Sequence, residues 1–216
     1  QQNLQKSEMK ALQAQITPHF LYNTFDTIVW LAEEKKNDQV IDITRAFSSF
    51  FRISLNKGKD FLTVSEEFEH VKSYLTIQKI RYRDILDYNI EYLPEMANSQ
   101  ILKLVLQPLV ENALYHGIKN KRGRGLLSVK GWRENKRLCF SVEDNGIGMT
   151  EEKLANIMKQ INGTVDPEDL NNVYGLYNVN KRLGLYYDTS TKLEITSRYK
   201  VGTTVYFSVP EVGFNV

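Results

Sequence analysis

The chain has 216 residues, of which 42% are hydrophobic and 25% charged, and this composition is typical of a globular protein rather than a disordered one. A net charge of +2, from 28 basic and 26 acidic residues without a long Lys/Arg run, argues against a general nucleic-acid-binding face. The single cysteine, Cys139, excludes an internal disulfide and lies in an apolar alternation that predicts a buried thiol.

The N-terminal end predicts a chain that continues beyond the given sequence. It begins at Gln1, without a methionine and already in a helical pattern, so we expect a fragment cut within a helix of a longer protein. There is no apolar stretch of the roughly 18 residues that a membrane span needs and no charged-then-apolar leader pattern, so we expect that the chain as given neither spans a membrane nor carries a secretion signal.

Residues 1–36 contain no glycine and place apolar side chains at helical spacing, which predicts one long helix that is re-set at Thr17-Pro18. Thr17 can cap a helix whose first position is Pro18, which puts His19 in the first turn. Asn23 follows four residues later on the same face, where its amide can reach the imidazole. A histidine in an apolar helix is often a packing or capping residue, so this segment alone does not establish a functional role.

A second helix is predicted after a turn at Asn37-Asp38. An apolar stripe begins at Val40 and ends near Gly58, and it gives an antiparallel helical hairpin with the first helix. Because a hairpin of this size has too little partner surface to bury both stripes, we expect two copies to pair into a four-helix bundle.

The rest of the chain predicts a mixed sheet with helices and no internal repeat. Ser65 is the predicted N-cap of a helix that runs to about Tyr82. Strands are predicted at 87–92, 126–133, 137–143, 192–198 and 203–209, and further helices at 107–117, 151–160 and 175–183. The basic stretch 119–124 is either a solvated loop or a phosphate contact.

Four short motifs in this second part carry the candidate chemistry. They are Leu-Val-Glu-Asn-Ala-Leu-Tyr-His-Gly at 109–117, Glu-Asp-Asn-Gly-Ile-Gly-Met at 143–149, Gly-Leu-Tyr-Asn-Val-Asn-Lys-Arg at 175–182, and Gly-Thr-Thr at 202–204. Each alone has an ordinary explanation, since Asp-Asn-Gly is a favoured turn and Gly-Thr-Thr can simply join two strands. Gly175 is more informative, because a helix N-terminus without a side chain is a natural anion site.

In this order and spacing, the four motifs resemble the ATP-binding domain of the GHKL superfamily. With the upstream Pro-His-Phe-Leu-Tyr-Asn segment, the chain from Ile16 to Pro210 resembles the cytoplasmic half of membrane-anchored sensor histidine kinases of the YesM/LytS-like subfamily. The resemblance implies an α+β fold, with a helical hairpin followed by an α/β-sandwich (Bergerat) ATP-binding domain. It also implies a helical dimerisation and phosphotransfer domain at 1–64, a connecting helix at 65–84 and the catalytic domain at 85–216.

The resemblance assigns a phosphoacceptor role to His19 and implies ATP and Mg²⁺ as cofactors. It assigns Asn112 to the Mg²⁺ ion, for which an amide oxygen is a suitable hard ligand. Asp144 is assigned to adenine, because an ionised carboxylate accepts from the exocyclic amine that guanine lacks. The other implied nucleotide-binding residues are His116, Gly146, Gly148, Gly175, Leu176, Asn178, Lys181, Arg182, Thr203 and Thr204. Gly146 and Gly148 are expected to let the backbone approach the base and ribose closely.

The segment from Glu151 to Tyr174 is expected to be a mobile lid over the nucleotide, since it is polar and lies between the two glycine motifs. The P-loop pattern and the His-Arg-Asp and Asp-Phe-Gly motifs of serine and tyrosine kinases are absent from the sequence.

The implied reaction transfers the γ-phosphoryl group of ATP to His19 and then to an aspartate of a response-regulator receiver domain. Most histidine kinases carry an acidic residue directly after the phosphoacceptor, whereas this chain has Phe20. Glu111 is the candidate for the missing base, and Asn23 stands where relatives can control dephosphorylation of the partner. We expect a membrane link only through the missing N-terminal region, as in the cytoplasmic portion of a plasma-membrane protein.

Two alternatives from other classes remain open. The chain could be a GHKL ATPase in which His19 is structural, or a nucleotide-binding dimerisation module without catalysis. ATP hydrolysis without a covalent phosphoprotein would indicate the first, and binding without turnover the second.

Overall fold

The described residues open with the predicted helical hairpin. The computed structural model describes residues 18–55, 60–163, 173–188 and 190–211. Helix α1 spans Pro18–Glu33 and helix α2 spans Asn37–Ser54, which gives the expected helical hairpin. The predicted Thr17 cap, the helix before it and the predicted stop at Gly58 lie outside the described residues.

The turn between α1 and α2 lies earlier than predicted. Asn37 and Asp38 begin α2, and the chain reverses at residues 34–36 instead. Lys35 takes a left-handed conformation with φ of 57°, and the amide N–H of Lys36 donates to the carbonyl of Leu31 at 2.9 Å. This is the hydrogen-bond pattern of a C-terminal helix cap, which usually has glycine at the left-handed position. A lysine there gives no sequence signal.

Helix α3 spans Val64–Arg81, and its N-cap is Thr63 rather than the predicted Ser65. The Thr63 hydroxyl accepts from the amide of Glu66 at 3.1 Å, while the Glu66 carboxylate accepts from the amide of Thr63 at 2.8 Å. This reciprocal capping box satisfies two amides that a helix N-terminus otherwise leaves free. The helix ends at the predicted position.

Helix α3 also carries the packing surface for the hairpin. The Phe20 ring lies 5.0 Å from that of Phe50 in α2 and 5.3 Å from that of Tyr74 in α3. His70 stacks on Phe50 at 4.4 Å, and its Nε2 lies 2.8 Å from the Ser54 hydroxyl. Burial lowers the pKa of His70 to about 3, so this imidazole is neutral at physiological pH. The hairpin is thus joined to α3 by a cluster of rings.

A five-stranded sheet forms the second part of the molecule. Its strands are β2 Leu86–Tyr92, β4 Gly125–Glu134, β5 Arg137–Asp144, β6 Glu194–Arg198 and β7 Gly202–Pro210, in the spatial order β2-β4-β5-β7-β6. The β2/β4 pair is parallel and the other pairs are antiparallel. The β4–β5 turn is formed by Asn135 and Lys136, both at positive φ. All five strands were predicted within two residues at each end.

A separate two-stranded ribbon was not predicted. Strand β1, Phe61–Thr63, pairs antiparallel with β3, Gln100–Leu102, on either side of α3. Each strand has only three residues, which is too short for an alternation to be recognised in the sequence.

Three further helices cover one face of the large sheet with α3. Helix α4 spans Leu106–Asn112 and continues as a π-helical turn over Ala113–Ile118, while α5 spans Glu151–Asn162 and α6 spans Tyr174–Tyr186. Buried residues alternate with partly exposed ones along β7, so only one sheet face is packed against helices. The expected α+β fold, a helical hairpin followed by a two-layer sandwich, is confirmed.

The buried core is continuous through both parts. It runs from Phe20, Leu31 and Ile43 in the hairpin to Phe140 and Phe207 in the sheet. Cys139 is buried as predicted. The division at 64/65 and 84/85 remains a prediction, and no described helix is long and apolar enough to cross a bilayer.

Candidate functional site

A cleft lies at the end of the sheet where β5 finishes, between α4, α5 and the start of α6. It contains about 590 Å³ of empty space, a volume that includes open solvent. It is lined by Asn112, His116, Gly117, Asp144, Gly148, Met149, Lys153, Ile157, Val173, Leu176, Ile195 and Thr203. The lining combines apolar side chains with a few polar groups, which is typical of a small-molecule site.

Asp144 is the acidic group of this cleft. It is the last residue of β5 and is only 5% exposed. Its carboxylate accepts from the backbone amide of Gly146 at 2.8 Å and from that of Thr203. Burial raises the pKa of Asp144 to about 6, and the two amide hydrogen bonds oppose that rise. The group therefore remains mainly ionised at pH 7 and can accept a further hydrogen bond.

Four glycines interlock around Asp144. A Cβ on Gly117 would lie 2.4 Å from the Asp144 carboxylate, and one on Gly202 would lie 2.0 Å from the Asp144 carbonyl oxygen. A Cβ on Gly146 would lie 2.3 Å from the Gly117 backbone, and one on Gly148 would lie 2.0 Å from the Arg198 carbonyl oxygen. Gly148 also has φ of 63°. These four glycines are thus required where the π-helical turn, the loop after β5 and the turn between β6 and β7 pack together, in addition to any close approach by a ligand.

The opposite wall of the cleft is formed by α4 and α5. Asn112 and His116 both line the cleft, as their spacing predicted, while Leu109 and Ala113 are buried in the core. Lys153 reaches the cleft from α5. Partial burial, and then the positive charge of Lys153, lower the pKa of His116. His116 is therefore a neutral hydrogen-bonding group rather than a cation at pH 7.

The N-terminal end of α6 closes one side of the cleft through Val173 and Leu176. Gly175 lies between them, and among the described residues a Cβ there would meet only Pro108, at 3.6 Å. This is ordinary van der Waals distance, so no described neighbour requires a glycine at this position. The open space fits the expectation that a ligand lies against this helix end.

The polar residues farther along α6 lie outside the lining. Asn178 is half-buried, and Lys181 is exposed with its ammonium group donating to the Tyr177 hydroxyl at 2.5 Å. Arg182 donates to the carbonyl oxygens of Lys103 and Leu104, at 2.7 and 3.3 Å. The guanidinium that the resemblance assigned to nucleotide binding is therefore occupied by the chain segment before α4.

The two threonines of the last motif face opposite ways. Thr203 lines the cleft, and its hydroxyl lies 2.8 Å from that of Ser197. Thr204 is not among the lining residues. Successive side chains of a strand point to opposite sheet faces, so Thr204 points away from the cleft.

His19 lies on the hairpin, outside the cleft, with an exposed side chain. The amide nitrogen of Asn23 lies 2.9 Å from its Nδ1 and 3.0 Å from its Nε2, so the predicted contact is present. An amide N–H can donate to whichever ring nitrogen carries no hydrogen. The next residue, Phe20, is 6% exposed and packs on Phe50 and Tyr74. It anchors the first turn of α1 and leaves the imidazole free.

Glu111 lies on the side of α4 that faces α3. Its carboxylate accepts from the side-chain amide of Gln107 at 2.9 Å. Burial raises the pKa of Glu111 to about 6. Burial, and then the nearby Glu111 carboxylate, raise the pKa of Tyr74, the tyrosine that stacks on Phe20. Glu111 and Asn112 thus point to different sides of one helix, toward the hairpin side and toward the cleft.

Sequence reasoning did not single out several lining residues: Gly117, Met149, Lys153, Ile157, Val173 and Ile195. Lys153 and Ile157 are four residues apart and therefore share one face of α5. That spacing, directly after a glycine motif, is the signal that could have found them. Residues 164–172 of the expected lid lie outside the described residues, and its mobility stays a prediction.

The cleft residues fit a purine nucleotide with a divalent cation. Asp144 offers a buried acceptor, apolar side chains can cover a flat ring, and the space beside Gly175 admits a polyanion at a helix end. Asn112 supplies an amide oxygen, and Mg²⁺ is commonly held by one or two protein oxygens together with substrate phosphates.

Comparison with known families gives two matches. Residues 7–86 match the histidine kinase family, and residues 97–213 match the family of histidine kinase-, DNA gyrase B- and HSP90-like ATPases. Together the matches cover both the hairpin and the sheet.

Individual relatives agree with these families. Sensor histidine kinase YesM of Bacillus subtilis (strain 168) is 32% identical over 207 residues, which are 96% of this chain and 34% of YesM. Sensor protein LytS of Bacillus cereus is 32% identical over 212 residues, 96% of this chain and 35% of LytS. The chain thus spans about a third of the length of these relatives.

The fold also matches a solved structure, that of histidine kinase ThkA in complex with response regulator protein TrrA. The TM-score is 0.50 and the sequence identity is 16%, over 95% of this chain and 61% of that one. At that identity the likeness concerns the fold alone. The family matches and the relatives, with the cleft and the hairpin, identify the chain as a member of the YesM/LytS-like sensor histidine kinases.

Proposed function

We propose that this chain phosphorylates its own His19 from ATP and passes the phosphoryl group to an aspartate of a response regulator. The observation that carries the proposal is the pairing, in one chain, of an exposed histidine held by Asn23 with a cleft built around Asp144. Residues 1–64 supply the phosphoacceptor and the dimer contact, 65–84 the connection and 85–216 the nucleotide site.

Adenine recognition is assigned to Asp144. Its ionised carboxylate accepts from the exocyclic amine of adenine, whereas guanine presents a carbonyl there and would place two acceptors face to face. The expected preference is therefore for ATP over GTP. His116, Thr203 and the main chain at Gly146 and Gly148 complete this end of the site.

The phosphate end is assigned to the N-terminus of α6 and to α4. Gly175 and Leu176 present the helix end, and Asn112 offers the oxygen for Mg²⁺. When bound, Mg²⁺ neutralises phosphate charge and orients the γ-phosphoryl group. Asn178 and Lys181 are the α6 side chains left to contact phosphates. Lys153, which lines the cleft, is an additional cation for the same role.

The transfer itself needs a neutral imidazole. The ring nitrogen of His19 without a hydrogen attacks the γ-phosphorus, the new P–N bond forms as the bond to the ADP oxygen breaks, and ADP leaves. The hydrogen on the other ring nitrogen then passes to a base. We assign that role to Glu111, whose pKa of about 6 suits a proton acceptor near neutral pH. Glu111 must reach His19 of its own chain or of a second copy.

The hairpin is assigned to pairing with a second copy and to the response regulator. Tyr22, Phe25, Val29, Trp30 and Ile41 are exposed large apolar side chains of α1 and α2. Pairing two hairpins into a four-helix bundle would cover them. The receiver partner is supported by the ThkA neighbour, which is solved with a response regulator. A membrane link would come from a region preceding this chain.

Incubation with Mg²⁺ and γ-labelled ATP tests the proposal. The wild type should acquire an acid-labile, base-stable label, and His19→Ala should acquire none while still binding nucleotide. Asp144→Asn weakens the nucleotide site and should show both reduced label and reduced nucleotide affinity. Label that persists in His19→Ala would contradict the assignment. ATP hydrolysis without label would favour the ATPase, and binding without turnover would favour a non-catalytic module.

A further inference from the structure

The segment before α4 has a strained backbone at Leu104. Leu104 has φ of 54°, in the left-handed region, although it is not glycine, and its side chain is only 3% exposed. A large residue with a Cβ is rarely found there, because the Cβ approaches the following carbonyl oxygen. Such a conformation persists only when the surrounding structure imposes it.

Glu67 holds the amide side of this segment. It lies in α3 and is fully buried. Its two carboxylate oxygens accept from the backbone amides of Leu104, Val105 and Leu106, at 2.8, 2.8 and 2.9 Å. These are amides at and just before the start of α4, where no intrahelical partner exists. A carboxylate at this end is also favoured by the helix dipole.

Arg182 holds the carbonyl side. It lies in α6, and its guanidinium donates to the carbonyl oxygens of Lys103 and Leu104. Burial raises the pKa of Glu67 and lowers that of Arg182, and the attraction between the two charges opposes both changes. The N–H of Leu104 is therefore hydrogen-bonded to a residue of α3, and its carbonyl oxygen is hydrogen-bonded to a residue of α6.

The Leu104 segment connects α3, α6 and α4, and the proposed reaction depends on the relative positions of these three helices. Helix α3 packs on the hairpin through Tyr74, α6 lines the cleft through Leu176, and α4 carries Glu111 and Asn112. Because the segment leads directly into α4, its conformation sets where that helix begins and how it is rotated.

We propose that Glu67 and Arg182 are positioning residues, which hold the Leu104 segment so that α4 presents Glu111 and Asn112 correctly for phosphoryl transfer. The inference rests on the proposed function. It replaces the expectation that Arg182 binds the phosphates of the nucleotide. If Arg182 instead bound the phosphates, its substitution would lower nucleotide affinity, and substitution of Glu67 would not have the same effect.

The test uses Glu67→Gln with Glu66→Gln as its control. Both changes remove one charge from adjacent residues of α3. The new amide in Glu67→Gln would direct an N–H₂ group against backbone donors and leave Arg182 without its buried anion. The new amide in Glu66→Gln can still accept from Thr63 in the capping box through its oxygen. Arg182→Met removes the hydrogen bonds to the carbonyl oxygens of this segment, and Arg182→Lys keeps the positive charge.

Three quantities separate positioning from binding: the rate of phosphohistidine formation at saturating ATP, nucleotide affinity without Mg²⁺, and amide hydrogen exchange along α4. We expect Glu67→Gln and Arg182→Met to lower the rate about 10- to 100-fold, since small misplacements of reacting groups have effects of that order. The affinity for ADP and for a non-hydrolysable ATP analogue should change less than about threefold, because Asp144 is untouched.

Amide exchange of Leu104–Leu106 and of Leu109–Asn112 should be faster in both variants. Arg182→Lys should lose less rate than Arg182→Met, and the double variant should lose less than the product of the single losses, because both residues act through one segment. Glu66→Gln should match the wild type.

Several outcomes would overturn the inference. Equal losses of affinity and rate in Arg182→Met would make Arg182 a nucleotide ligand, and wild-type rates in both variants would exclude positioning. If Glu67→Gln fails to fold, Arg182→Met and Arg182→Lys decide the question. If the wild type forms no phosphohistidine, the proposed function fails, and amide hydrogen exchange then decides the positioning inference. Exchange rates at Leu109–Asn112 that match the wild type in both variants would contradict it.

Discussion

The part of the molecule that contains the cleft is tightly packed within the chain, whereas the described hairpin packs on the rest of the chain on one side only. Around Asp144, three loops approach so closely that four glycines have no room for a Cβ. In the hairpin, Leu31 and Ile43 are fully buried, but Tyr22 is 67% and Val29 57% exposed. Both faces of the hairpin are therefore apolar, but only the inner face is covered by other described residues of the chain.

This contrast separates two kinds of sequence constraint. In the cleft region, the glycines are required by neighbouring groups of the same chain. The exposed apolar residues of the hairpin form its outer face. We expect this outer hairpin face to contact a partner molecule, since exposed contiguous apolar surface usually marks an interaction site. Substitutions should therefore affect folding in the first region and association in the second.

The largest expected effect is that of Gly148→Ala. Its Cβ would lie 2.0 Å from the Arg198 carbonyl oxygen, at a residue with φ of 63°. We expect the free energy of unfolding to fall by more than about 3 kcal/mol, from the clash together with the left-handed conformation. Chemical denaturation measures it.

Gly184→Ala is the control for this change, because no described residue lies within 4 Å of its Cβ position in α6. It should stabilise the protein by about 0.5–1 kcal/mol, as alanine does in helix interiors. Equal denaturation midpoints for the two variants would show that the loops around Asp144 are not tightly closed.

Val29→Ser should affect association instead. If the outer hairpin face is covered by a second copy, two valines leave a buried environment, and the dimer should lose about 3 kcal/mol, or roughly 100-fold in its dissociation constant. Sedimentation equilibrium measures this constant. Leu185→Ser, at a residue 77% exposed on α6, should leave it unchanged. A wild-type protein that stays monomeric at micromolar concentration would remove the basis for the bundle.

Gly175→Ala should lower nucleotide affinity without affecting the fold. Within the described part of the chain the added methyl group meets only Pro108, at 3.6 Å, so stability should follow that of Gly184→Ala. The methyl group would occupy the space assigned to phosphates at the helix end, and we expect the dissociation constant for ATP to rise about tenfold. Equilibrium dialysis distinguishes the two variants. Unchanged affinity in Gly175→Ala would place the phosphates elsewhere.

The smallest expected effect is a pH dependence of ADP binding through Asp144, whose pKa is about 6 in the free protein. The ionised form accepts from adenine, so affinity should be constant well above this pKa. It should fall toward tenfold per pH unit below it, because the bound proton must first be lost. Asp144→Asn removes this component, and identical pH profiles for the two proteins would mean that Asp144 does not contact the base.

Much of the fold follows from local patterns in the sequence. Apolar spacing predicted both hairpin helices, and a capping residue followed by two carboxylates predicted α3. The misplaced features depend on single residues in unusual roles. Lys35 takes a left-handed cap position that glycine normally fills, and Thr63 caps α3 two residues before the equally suitable Ser65.

The candidate site was predictable to the extent that it is encoded in short motifs. Asn112, Asp144 and Leu176 lie in three such motifs, and the fold brings them to one cleft. For Lys153, the sequence offers only its four-residue spacing from Ile157 on the predicted helix. The contacts of Arg182 were not predictable, because its sequence position cannot reveal carbonyl oxygens that lie about 80 residues away along the chain. Glu67 similarly gives only the signal of a favourable charge at a helix start.

The burial of Phe20 has an evolutionary consequence. Its ring fills space between Phe50 and Tyr74, so an acidic residue introduced there would enter a hydrophobic core without a partner, at a cost of several kcal/mol. If His19 accepts the phosphoryl group as we propose, a single substitution of Phe20 cannot supply the adjacent acid of other histidine kinases without this loss of core packing. The proton acceptor must then be recruited from another helix, and the two arrangements are separate solutions rather than neighbours on one mutational path.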